Sequence, residues 1–185
     1  PEENVSFLLT KIDELGGPMV FSHYPMGWAM AGNTPFKLYK QWSHEGGVHD
    51  PLIIYYPAEI KDKGGIRSQF THAIDIVPTI LEAVGIEAPE VYKGIPQKPV
   101  EGVSMAYTFN APKAPGRKKS QYFEVMGSRA YYQDGWIASV FGPRTPWKAG
   151  IDPAIFSWSP DKDTWELYDL HADYSQARDV AAAHP

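Results

Sequence analysis

The chain contains no cysteine. That excludes a disulfide framework, a thiolate metal site and a cysteine nucleophile, and it fits any redox compartment. No apolar run approaches the ~18 residues that would suggest a membrane-spanning helix. Basic charge is not in excess either. Lys and Arg number 17 against 22 Asp and Glu, a formal net charge of −5, so the field of the molecule repels nucleic acid and anionic membranes. The one dense basic run, Arg117-Lys118-Lys119, lies in a Pro/Gly loop and reads as a solvated turn. There is no G-x-S-x-G elbow to activate a serine. Gly46-Gly47 precedes an apolar run instead of following one, which excludes a phosphate cradle between strand and helix. These glycines read as a tight turn with positive φ. His44, His49, Asp50, His72 and Asp75 are the nearest thing to a metal cluster, but the His44–His49 spacing matches no zinc pattern. His72 with Asp75 reads as a hydrogen-bonded pair at a helix start.

What is present is apolar, aromatic and punctuated by turns. Of 185 residues, 43% are hydrophobic and 14% aromatic, with 17 Pro and 16 Gly. That suits one core, or a core with a small appendage, and many loops. Val5, Leu8, Leu9, Ile12 and Leu15 recur at helical spacing until Gly16-Gly17. Met19 to Phe36 is aromatic and Pro-rich and reads as an ordered loop. Leu52–Tyr56 (LIIYY) is short and apolar at every position, the mark of a strand covered on both faces. Val77, Ile80, Leu81 and Val84 form the stripe of a core-facing helix, with Asp75 as cap, Pro78 in the first turn and Gly85 as stop. Gly94 to Gly116 is Pro-rich and poorly periodic. QYFEVMGSRAYYQDGWIASVF reads as a three-strand meander with turns at Gly127-Ser128 and Asp134-Gly135. TWELYDL adds a fourth strand, with Trp165, Glu166 and Asp169 read as packing and surface, and Ser175 to Ala183 a helix. The boundary between the two parts falls near residues 88–103. The division is therefore 1–95 as α/β core and 96–185 as a small antiparallel subdomain. The opening PEENVSFLLTKIDELGG has no basic stretch before an apolar core and does not read as a signal peptide. The chain opens within one helical pattern and ends just after another begins, as a fragment would.

Among single residues Lys40 stands out. It sits between Tyr39 and Trp42, ahead of Glu45-Gly46-Gly47. A lysine is a compact mobile cation suited to an anionic group in a partly closed pocket. Lys37 competes for the role.

Three blocks carry a family likeness: NTPFKLYKQWSHEGGVHDPLIIYYP, HAIDIVPTILEAVGI and WELYDLHADYSQARDVA. In this order they resemble the C-terminal portion of an arylsulfatase, of the sulfatase family in the alkaline-phosphatase-like superfamily. HYPMGWAMAGNTPF further resembles a bacterial arylsulfatase subgroup. The likeness covers nearly the whole chain. It implies an α/β fold: part of an alkaline-phosphatase-like sheet with helices, plus a small C-terminal antiparallel β meander with a helix. It also implies that a lysine ahead of the E-G-G turn binds the sulfate group. Counting back five from Glu45 gives that role to Lys40. His23 would approach the same pocket, and Tyr24, Trp28 and Trp42 would wall it.

Other family features are missing. The family nucleophile is a formylglycine made within C/S-x-P-x-R, and no such motif occurs here. The family's calcium (Ca2+) ligands belong to its N-terminal half, so no cofactor is expected within this chain. Two readings follow. One is the C-terminal part of a sulfuric ester hydrolase, inactive alone, whose partner half supplies nucleophile and calcium. The other is a stand-alone binding or structural module, expected to be a homodimer. In that case Leu52–Tyr56 would be exposed for want of neighbouring strands. A phosphate or phosphonate ester would suit the same lysine, a third and weaker reading.

Overall fold

The structure is a computed structural model describing residues 5–18, 24–143 and 153–184. Its helices are α1 (Val5–Leu9), α2 (Met26–Gly32), α3 (Glu45–Val48), α4 (Ile76–Val84) and α5 (Ala154–Ser157). Its strands are β1 (Val91–Tyr92), β2 (Ile95–Pro96), β3 (Ser120–Val125), β4 (Ser128–Gln133), β5 (Trp136–Val140) and β6 (Glu166–Asp169). The chain divides into two compact units. One takes residues up to Asp50, Phe123–Ala130 and residues from Trp136 onward; the other takes Pro51–Tyr122 and Tyr131–Gly135. No helix among the described residues is long and apolar enough to cross a membrane.

β3, β4, β5 and β6 form one sheet in that order, the meander and fourth strand expected from the alternation. Asp134 (φ 44°) and Gly135 (φ 89°) make one two-residue turn, and Met126 (φ 53°) and Gly127 (φ 86°) the other. The first turn thus lies one residue earlier than Gly127-Ser128. Positive φ at both turn positions matches the right-handed twist of the strands it joins. β5 and β6 run antiparallel with Ile137 opposite Tyr168 and Ser139 opposite Glu166. Side chains alternate faces along a strand, so Tyr168 and Glu166 share one face. That face carries the core: Ala130, Ile137 and Tyr168 are buried, with Phe123 and Leu170 against them. A glutamate on a core-facing position requires partners.

The second unit is held by a hydrogen-bonded network. His72 and Asp75 form a capping box at a 3₁₀ turn leading into α4, the paired helix start that the sequence suggested. Asp75 is 1% exposed. Its carboxylate accepts from the His72 and Val103 backbone N–H groups, each at 2.8 Å, and pairs with Lys118 at 3.2 Å. Lys118 is therefore the buried partner of an acid, contrary to the solvated turn expected of Arg117-Lys118-Lys119. The physical reason is long-range: Asp75 needs a cation that local sequence does not show. Thr79 donates to the Asp75 carbonyl and accepts from the Met105 N–H. Arg67 donates to the Thr108 and Phe109 carbonyls. Gly85, at φ 67°, ends α4 as expected.

Four elements differ from the sequence expectation. Leu52–Tyr56 is not in a sheet; Ile53 is 92% and Tyr55 88% exposed. A fully buried strand needs neighbours for its backbone groups, and none pairs with it among the described residues. Val77, Ile80 and Val84 of the α4 stripe are likewise exposed, while Thr79 is buried. Within the expected loop 19–36, α2 forms. Ser175–Val180 is not helical: the Asp173 and Asp179 side chains accept backbone N–H groups of Arg178, Leu167 and Ala181, and Gln176 takes φ 55°. Side-chain acceptors of this kind compete with helix hydrogen bonds.

Candidate functional site

The loop from Asn33 to His49 is fastened at many points. Asn33 Nδ2 donates to the carbonyls of Leu38 (2.7 Å) and Gly46 (2.6 Å). The Gly46 N–H donates to the Lys37 carbonyl at 2.9 Å. Glu45 donates its backbone N–H to Gln176 Oε1, and its carboxylate meets His49 Nδ1 at 2.6 Å. Phe36 stacks on His49. Gly46 and Gly47 lie in or beside α3, and neither has positive φ. They are required for another reason. A Cβ on Gly46 would strike the Lys37 and Leu38 carbonyls, and one on Gly47 the Trp42 carbonyl. Close backbone approach, not a left-handed turn, selects glycine here.

At the base of the loop is a part-buried polar cluster. Glu166 Oε2 receives His44 Nε2 at 2.7 Å, the Tyr168 hydroxyl at 2.7 Å and Lys37 Nζ at 3.2 Å. Lys37 also donates to Tyr168 Oη at 2.6 Å and lies over its ring. Burial pushes the Glu166 carboxyl up, but the hydrogen bonds from His44, Tyr168 and Lys37 outweigh it and hold the group below the usual carboxylate range. Burial, reinforced by the Glu166 charge, raises the Tyr168 hydroxyl. His44 is fully buried, and burial lowers its pKa despite the hydrogen bond to Glu166. A neutral His44 donates from Nε2, and its Nδ1 then keeps a bare lone pair with no partner among the described residues. Its ring stacks on Phe141 at 4.7 Å.

The linkage sign follows from these directions. His44 is depressed below 6.5, so the unfolded chain takes up a proton first and stability falls as pH drops through that value. Glu166 is depressed below 4.5, and its contribution is lost as pH falls further, through its folded value. His49 is raised, chiefly by its hydrogen bond to Glu45, so it works in the opposite sense and loses its contribution as pH rises. It is about half-exposed and counts for less. His72, lowered by burial, acts in the same sense as His44. We therefore expect the drop in melting temperature from pH 7 to pH 5 to be smaller in His44→Gln than in the wild type. Equal drops would contradict the assignment of a neutral His44.

Of the residues singled out in the sequence, Lys40 is exposed and has no hydrogen-bond or ion-pair partner among the described residues. It stands between Leu38 (φ 65°) and Gln41 (φ 77°). Left-handed backbone is costly for such side chains and persists only where surroundings impose it. Lys37, the competitor, is committed to Glu166 and Tyr168. Trp42 is 5% exposed and meets Phe141 edge-on, a core contact. Tyr24 and Trp28 are exposed. His23 lies outside the described residues. His44 and His49 each bond a separate glutamate, and no group of three or more His, Asp or Glu among the described residues is arranged to hold a metal. Glu166 and Tyr168 were missed in the sequence, where Glu166 passed as packing and surface. The signal was there: in WELYDL they stand two apart, which puts the glutamate on the face of a core tyrosine.

The family model for N-sulphoglucosamine sulphohydrolase, C-terminal, matches residues 36–184. An uncharacterized sulfatase of Schizosaccharomyces pombe is 31% identical over 184 residues, which is 98% of this chain and 30% of that protein. The N-acetylglucosamine-6-O-sulfatase of Bacteroides thetaiotaomicron is 28% identical over 183 residues, 97% of this chain and 30% of its own length. The crystal structure of Ps i-CgsB superposes on 81% of this chain and 28% of its own, with a TM-score of 0.54 at 19% identity, a likeness of fold. The chain thus spans 30% of the length of these curated relatives.

Proposed function

The chain belongs to the sulfatase family, as a C-terminal sulfatase portion, and from that premise we propose that it supplies part of the sulfate-binding wall of a sulfuric ester hydrolase, with Lys40 meeting the sulfate group. Its fold is the C-terminal region of the sulfatase architecture, ending in the small four-stranded antiparallel sheet. The observation that carries the proposal is the contrast between the two lysines. Lys37 is bonded inside the cluster, while Lys40 is exposed on a loop held at many points. An ammonium carried on a fastened loop and not engaged elsewhere is available to neutralise a sulfate oxygen. His23 is proposed to approach the same group.

The chain by itself is proposed to be catalytically inactive. It has no C/S-x-P-x-R motif from which a nucleophile could form. Calcium would enter with residues outside this chain. A sugar sulfate is the proposed substrate class, because one relative that nearly the whole chain matches is an N-acetylglucosamine-6-O-sulfatase. The bare apolar residues of Leu52–Tyr56 and α4 support a larger assembly, since monomers rarely leave such surface uncovered. The remaining length of the family would cover them. In the alternative reading, a second copy would.

The test is the intact mass and sulfate-ester turnover of the gene product purified from its source. A polypeptide roughly three times this length that hydrolyses a sulfated sugar supports the proposal. A homodimer of 185-residue chains without turnover would establish the stand-alone module instead.

A further inference from the structure

We propose that Glu166 is a positioning residue that fixes the turn carrying Lys40, by holding both ends of the Lys37–His44 segment on one carboxylate oxygen. The inference rests on the reading of Lys40 as the sulfate-binding group. The geometry supplies the rest. Lys37 and His44 flank the turn, and both bond Glu166 Oε2, at 3.2 and 2.7 Å. Between them the chain makes two left-handed excursions, at Leu38 and Gln41. Local sequence does not favour those conformations, so something outside the segment must impose them. Glu166 is 129 residues from Lys37 in sequence and belongs to β6, the most rigid kind of support available. The Tyr168 hydroxyl completes the grip, donating to the same oxygen and accepting from Lys37.

The donor arithmetic makes the carboxylate hard to replace. Lys37 and Tyr168 present hydrogens to one Glu166 oxygen, and neutral His44 adds a third. An amide of the same shape keeps one acceptor oxygen and adds an N–H₂ that donates. Glu166→Gln leaves an oxygen able to stand at the Oε2 position, but without the negative charge that lets it take three donors and hold Lys37. The turn is then free to relax toward ordinary backbone angles and Lys40 leaves its fixed position. A hydrogen bond to a charged group contributes about 1.5–3 kcal/mol, on the order of 10–100-fold in affinity, and that is what a displaced Lys40 forfeits.

The experiment uses the whole gene product, with hydrogen exchange and inorganic sulfate as the probes. In Glu166→Gln, amides of residues 38–43 are expected to exchange at least tenfold faster, with β3–β5 unchanged. The dissociation constant for inorganic sulfate should rise about 10–100-fold, the loss of one charge-assisted hydrogen bond. Tyr168→Phe, which removes one hydroxyl and keeps the ring, gives a smaller change in the same segment and serves if Glu166→Gln does not fold. Unchanged exchange in 38–43 in either folded variant would overturn the proposal. So would a rise spread evenly over the sheet, which is what a purely structural role produces. Lys40→Ala separates the two readings. If it leaves sulfate affinity unchanged while Glu166→Gln still loosens 38–43, the reading of Lys40 fails and the positioning of the turn stands.

Discussion

Replacing Lys40 by alanine in the gene product is expected to lower kcat/KM for a sulfate ester by about 10²–10³-fold and to leave stability within ~0.5 kcal/mol. The asymmetry is the point. Lys40 is exposed and unpaired, so its loss removes no contact of the folded chain among the described residues. Lys37 behaves oppositely. Its ammonium bonds Glu166 and Tyr168, and Lys37→Met strips a charged donor from a partly buried carboxylate. Hydrogen bonds to charged groups contribute about 1.5–3 kcal/mol each, so this variant melts earlier. Steady-state kinetics alongside thermal melts of both variants would check the pair. A Lys40 variant with full turnover, or one that unfolds, contradicts the assignment.

The largest effect on stability is expected at Asp75. Asp75→Ala leaves Lys118, 8% exposed, as an uncompensated buried charge and frees two backbone N–H groups. Breaking a buried pair by removing one partner costs about 3–5 kcal/mol. Asp75→Asn keeps an acceptor and should cost less, with Lys118 still unpaired. Combining Asp75→Asn with Lys118→Met removes the stranded charge, so the double variant should be more stable than Asp75→Asn alone. Denaturant titrations of the wild type, Asp75→Asn, Lys118→Met and the double variant give the coupling energy directly. A double variant whose losses simply add would show that Asp75 and Lys118 do not act as a pair.

What could be read from the sequence was what local chemistry dictates. The β3–β6 meander follows from period-two alternation and an Asp-Gly turn, and His72 with Asp75 is a contact across three residues. α4 and its Gly85 stop follow from spacing alone. Several of the misses turn on a partner that the local sequence does not show. Leu52–Tyr56 announces burial but not by what, and the stripe of α4 does the same. Lys118 looked like a solvated lysine until Asp75 was placed against it, 43 positions earlier by sequence number. Gly46 and Gly47 announced special backbone but not which kind. Close packing against the Lys37, Leu38 and Trp42 carbonyls cannot be told from a left-handed turn without coordinates. The lysine proposed to meet sulfate is a different case. The residues alone left Lys37 and Lys40 in competition and only the family resemblance favoured Lys40; the structure adds that Lys37 is bonded to Glu166 and Tyr168.

The most direct test is the position of a bound sulfate in a crystal of the whole gene product soaked with inorganic sulfate. The account predicts a sulfate oxygen within hydrogen-bond reach of Lys40 Nζ, about 2.7–3.2 Å, with Lys37 still bonded to Glu166. Sulfate bound in the enzyme's cleft with Lys40 pointing into bulk solvent, or held by Lys37 released from Glu166, would contradict it.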